Sequence, residues 1–77
     1  MYDGNFDDVL KEAEAKYQEK KKVYGESWKT KTICFMQQRL HEECKELLWA
    51  KNQEEAHKEA LDVINLALMV AKRTKKP

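Results

Sequence analysis

Four carboxylates in the second half of the chain stand out by their spacing: Glu43 with Glu46, and Glu59 with Asp62. Each pair is three residues apart, which on a helix puts both side chains on one face, about 5–6 Å from each other. The point midway between Glu46 and Glu59 falls between Asn52 and Gln53, and so does the point midway between Glu43 and Asp62. If the chain reverses there, antiparallel packing brings all four acids to matching heights. At about 1.5 Å per residue the inner and outer levels then differ by one helical turn. Glu43 lies on the stripe of Met36, Leu40 and Leu47, while Glu59 and Asp62 interrupt an otherwise apolar segment, so open water is not their expected destination. Clustered, partly desolvated carboxylates repel one another unless a cation compensates, and hard oxygen donors select magnesium, with manganese as the alternative. Magnesium usually binds alongside substrate phosphates, so the expected chemistry is hydrolysis of a phosphate ester or anhydride. Glu42 is the spare carboxylate to orient or deprotonate a water. Against this stands a plainer reading, in which acids three apart dress a solvated helix face beside Lys45, Lys51 and Lys58; Glu42, Glu54 and Glu55 fit it best.

The elements that must position these acids are helices. The first is expected to start behind Asn5, with Asp7 and Asp8 beside its N-terminal dipole, and to carry Phe6, Val9, Leu10, Ala13, Tyr17 and Tyr24 near one face. Gly25 should end it as a C-terminal cap, and Ser27 or Thr30 should cap the next helix. That second helix is expected to run to about Lys51, with Ile33, Met36, Leu40, Cys44 and Leu47 as its inner stripe. Asn52, followed three residues later by Glu55, resembles a capping box that opens a third helix over about Ala56–Ala71. Apolar residues lie on nearly every side of this last helix, which marks it as buried all round. The basic tail over 72–77 is expected to fray into water after a helix end that suits its cations.

The 77 residues are one domain at most, spanning 1–77, and a chain this short buries only about 60% of its unfolded surface, so partner subunits are expected. With 42% apolar and 38% charged residues but two Gly and one Pro, the composition suits long helices far better than a sandwich, a barrel or a disordered tail. The expected architecture is all-α: three helices with a long antiparallel hairpin, assembling into a dimeric or tetrameric bundle. A formal charge of +1 provides no global field for nucleic acid, and no apolar run approaches the roughly 20 residues of a membrane span. The acidic start and the two cysteines, Cys34 and Cys44, lead to the expectation of a soluble, unprocessed, cytoplasmic chain.

The segment Glu43-Cys44-Lys45-Glu46, twelve further residues, then Glu59-Ala60-Leu61-Asp62, preceded by Glu42 and followed by Asn65, resembles the MazG-like all-α nucleoside triphosphate pyrophosphohydrolases. The likeness spans about Trp28 to Val70. It implies magnesium held by Glu43, Glu46, Glu59 and Asp62, a dimer or tetramer, and conversion of a (deoxy)nucleoside triphosphate and water to monophosphate and pyrophosphate in nucleotide-pool housekeeping. The stretch Tyr24-Gly25-Glu26-Ser27-Trp28 is similar to the entry segment of small phage-type relatives. On that reading Asn65 hydrogen-bonds sugar or base, Lys29, Lys31 or Arg39 holds phosphate oxygens, and Trp28 either stacks on the base or packs as a lid. Two other classes compete. His41 and Cys44, with His57 or Cys34, offer zinc-ligand types without standard spacing. The same helices can also form a non-catalytic oligomeric interaction module with a structural or vestigial metal site.

Overall fold

A computed structural model describes residues 4–76; residues 1–3, part of the acidic start, and Pro77 of the tail lie outside it. Helix α1 spans Asp7–Tyr24, α2 spans Ile33–Leu48 and α3 spans Gln53–Thr74, with a single 3-10 turn at Ser27–Lys29. No strand occurs among the described residues, as the composition leads one to expect.

Local chemistry sets the boundaries. Asn5 Oδ1 accepts from the Asp7 amide at 3.1 Å at the start of α1, and Gly25 ends that helix at φ +64°, a left-handed conformation that favours glycine. The cap of α2 is Thr32 rather than Ser27 or Thr30: its hydroxyl accepts from the Phe35 amide at 3.0 Å. Ser27 is used up in the 3-10 turn, where its carbonyl receives both the amide and the hydroxyl of Thr30, each at 3.0 Å. Asn52 caps α3 as expected, accepting from the Glu55 amide at 2.8 Å. Helix α2 ends at Leu48, with Trp49 as its C-cap, instead of reaching Lys51, and α3 begins at Gln53 behind the extended Asn52.

Helix α3 packs against both α2 and α1. The core is small: among the described residues Ala13, Met36 and Leu61 are its buried apolar members. Side chains tie α1 to α3 at several points along their length, among them His57 Nε2 2.7 Å from Glu12 Oε2, Lys16 donating to the Lys58 carbonyl and Asn65 donating to the Ala13 carbonyl. A single chain leaves part of α3 uncovered, with Ala67, Leu68 and Ala71 exposed, and 77 residues are too few to wrap this helix alone. One expectation needs correcting: the tail does not fray from residue 72, because α3 stays helical through Thr74 and Arg73 donates to the carbonyls of Trp28 and Lys31. No helix among the described residues is long and apolar enough to cross a membrane.

Candidate functional site

Three of the four spaced carboxylates converge. Glu43 and Glu46 from α2 and Glu59 from α3 place one oxygen each within 4.8 Å of one another. Burial is graded across the group: Glu43 is 7% exposed, Glu59 is half-buried and Glu46 is exposed. Glu43 Oε1 accepts from Arg39 Nη2 at 3.0 Å, but Glu43 Oε2 and Glu59 Oε2 are buried and meet no donor. Ionised carboxylates are acceptors only, so these two oxygens are orphaned unless a proton or a cation reaches them.

The electrostatics agree. Burial pushes the Glu43 carboxyl above its ordinary value, and hydrogen bonding to Glu46 and the charges of Glu46 and Asp62 push it further, against the pull of Arg39. Burial likewise raises Glu59, reinforced by Glu46 and Asp62 and opposed by Lys16. A proton held on Glu43 or Glu59 is the protein's own remedy in the absence of a cation. A divalent ion is the stronger remedy, and an all-carboxylate donor set with two unpaired buried oxygens fits magnesium or manganese.

Asp62 is brought near but is already engaged, its Oδ1 lying 3.0 Å from Lys16 Nζ and 2.9 Å from Lys20 Nζ. Glu42 stands outside the cluster, bonded to Arg39 Nη1 at 2.6 Å, so one guanidinium bridges it to Glu43. Among the described residues the converging group of three or more possible metal ligands is this carboxylate set; His41, Cys44, His57 and Cys34 do not assemble into a zinc site.

A cavity of about 410 Å³ opens beside the acids. Glu43 and Asp62 line it together with three cations, Lys20, Lys21 and Arg39, and its lining also includes Trp28 and Asn65. A second, mostly apolar cavity of about 380 Å³ shares Tyr17, Trp28, Asn65 and Met69 with the first, so the two meet at the indole. That indole is fixed: Trp28 Nε1 donates to the Tyr17 hydroxyl at 3.0 Å, Tyr17 donates to Glu26 at 3.0 Å, and Lys29 lies 3.1 Å from the other Glu26 oxygen. The bonds from Lys29 and Tyr17 hold the Glu26 carboxyl below its ordinary value. Lys29 is therefore committed to Glu26, and Lys31 lies over the Phe35 ring, 5.4 Å from its centre; neither lines the charged cavity, whereas Arg39 does.

Sequence reasoning missed Lys16, Lys20, Tyr17 and Arg73 as contributors. Lys16 and Lys20 are four apart and flank Tyr17 on the face that also carries Ala13, a pattern that the charge of α1 carries and its apolar period does not. Arg73 gave no comparable signal, because its partners are backbone carbonyls. No family model matches the chain, and no curated protein or solved structure proves significantly similar to it.

Proposed function

We propose that the chain is the subunit of a magnesium-dependent nucleoside triphosphate pyrophosphohydrolase of the MazG-like kind, in which α2 and α3 form an antiparallel hairpin and identical subunits associate. The observation that carries this reading is the pair of orphaned, buried carboxylate oxygens on Glu43 and Glu59, inside a group of three acids within 4.8 Å and next to a cavity lined by cations and an indole. Glu43, Glu46 and Glu59 would hold the ion, and Asp62 would join them once Lys20 lets go of it. Magnesium, when bound, neutralises the triphosphate and polarises the attacking water. Water adds at the α-phosphorus, the bond from that phosphorus to the α,β-bridging oxygen breaks, and pyrophosphate leaves. Glu42, bonded to Arg39 outside the cluster, serves as a spare acceptor for the proton that the water gives up. The chain positions the nucleotide with Trp28 against the base and Asn65, whose Nδ2 is anchored to the Ala13 carbonyl at 2.9 Å, presenting its amide oxygen to sugar or base.

Association is supported by large apolar side chains left open in the single chain, among them Leu48 at 76%, Trp49 at 68% and Leu68 at 55% exposure. The same surface would serve the second reading, a non-catalytic helical interaction module. Pyrophosphate release from a panel of ribo- and deoxynucleoside triphosphates separates the two. Turnover that needs magnesium and disappears in Glu59→Gln is the expected result; oligomers without turnover on any triphosphate would favour the module.

A further inference from the structure

Helix α1 sends two lysines to the same carboxylate oxygen of α3, and they are not equivalent. Lys16 Nζ is held twice, 3.0 Å from Asp62 Oδ1 and donating to the Lys58 carbonyl at 3.0 Å, and its side chain is 27% exposed. Lys20 Nζ has the Asp62 contact at 2.9 Å, its side chain is 55% exposed, and it lines the charged cavity. One carboxylate oxygen thus serves two ammonium groups, and Lys20 is the more loosely held of the two. An ammonium carries three donors, so Lys20 keeps capacity for a second acceptor. Lys21, on the same helix, is 3.8 Å from Glu26, too long for a firm hydrogen bond, and Arg39 spends two of its donors on Glu42 and Glu43. The cavity therefore holds cations with donors to spare, beside a carboxylate group in which Glu43 Oε2 and Glu59 Oε2 meet no donor. A chain of phosphates that brings its own divalent ion complements both at once.

We propose that Lys20, together with Lys21 and Arg39, binds the phosphate oxygens of a polyphosphate chain, and that its contact with Asp62 is the resting arrangement it leaves when phosphate and divalent ion enter together. This rests on the triphosphate reading above and adds to it the residues that grip the phosphates. Lys16, tied at two points, stays on α3 while Lys20 exchanges one anionic oxygen for another. The exchange frees capacity on Asp62 for the ion, which couples occupation of the phosphate side to completion of the carboxylate side.

The test is equilibrium binding of inorganic tripolyphosphate by titration calorimetry, with magnesium and with a chelator, so that no turnover is needed. Lys20→Ala is expected to weaken binding in magnesium by about 10- to 100-fold, the loss of one or two charge-assisted hydrogen bonds, with an unchanged circular dichroism spectrum. Lys20→Arg should recover most of it. In chelator, Asp62→Asn should tighten binding by releasing Lys20, and that gain should vanish in the Asp62→Asn, Lys20→Ala double variant. Binding by Lys20→Ala as tight as that of the wild type, or a gain from Asp62→Asn that persists without Lys20, overturns the proposal, as does a wild type that does not bind tripolyphosphate. A wild type that binds tripolyphosphate through Lys20 yet hydrolyses no nucleotide would sink the hydrolase reading alone. Nucleotide turnover with no part for Lys20 would sink only this one.

Discussion

Replacing Glu46 by glutamine should stabilise the metal-free protein and remove its response to magnesium. Glu46 raises both Glu43 and Glu59, and it is exposed, so its loss relieves two repulsions without opening a cavity. With oxygens within 4.8 Å, each unit-charge pair costs about 0.9 kcal/mol at the dielectric of water and about 3.5 kcal/mol at an effective value near 20. The water-like figure governs a group with one exposed member, and sharing of a proton reduces it further, so the expected gain is about 1–2 kcal/mol. For a domain of this size that is a rise of roughly 5–10 °C in melting temperature in chelator. The amide introduced by the substitution can also donate to one of the orphaned oxygens. In magnesium the order should reverse: the wild type gains RT ln(1 + [Mg]/Kd) from an ion that binds only the folded state, and the variant, short of one charge, gains far less. The sign with pH follows from the same groups. Glu43 and Glu59 are raised above 4.5, so the folded state holds more protons than the unfolded one just above that value. Metal-free stability should then fall as pH rises from about 4.5 through the raised values, and in Glu46→Gln the fall should flatten. Differential scanning fluorimetry across pH, with chelator and with magnesium, reads all of this. A variant that melts below the wild type in chelator, or a wild type indifferent to magnesium, would refute the account of the site.

Asp62→Asn and Glu46→Gln should each abolish magnesium-dependent pyrophosphate release while leaving helicity intact, and full activity in both would remove these residues from the site. Asn52→Ala deletes the cap bonded to the Glu55 amide and should cost about 1 kcal/mol in urea unfolding; no change would mean the cap carries no stability. Gly25→Ala meets nothing within 4 Å but must keep φ at +64°, so a destabilisation of about 1 kcal/mol is expected from backbone alone. Leu68→Lys should lower the oligomeric state in sedimentation if the exposed apolar part of α3 is a subunit contact, and an unchanged state would place the contact elsewhere.

Much of the fold was written in short-range chemistry. Gly25 and Asn52 mark helix ends because only particular residues suit a left-handed backbone or an exposed amide, and both act where the sequence places them. Thr32 was overlooked because Ser27 and Thr30 offer the same chemistry nearby, and the choice among them depends on a 3-10 turn that no periodicity encodes. At the site, the symmetry of 43, 46, 59 and 62 about the turn located the carboxylates, and three of them do converge. The engagement of Asp62 was not legible, since it depends on where α1 crosses α3, and nothing in the spacing of α2 and α3 specifies that crossing. The commitment of Lys29 to Glu26 is likewise a product of the loop's shape.

Arg73 joins the end of α3 to the carbonyls of Trp28 and Lys31, 45 and 42 residues earlier in sequence. Contacts of that separation demand large loop-closure entropy and tend to follow the local helical ones, so the clasp should form on the downhill side of the folding barrier. Its removal in Arg73→Ala would then chiefly accelerate unfolding, with the refolding limb of the chevron almost unmoved. The wall that carries the indole would accordingly set after the local helices, together with the α1–α3 contacts of similar separation.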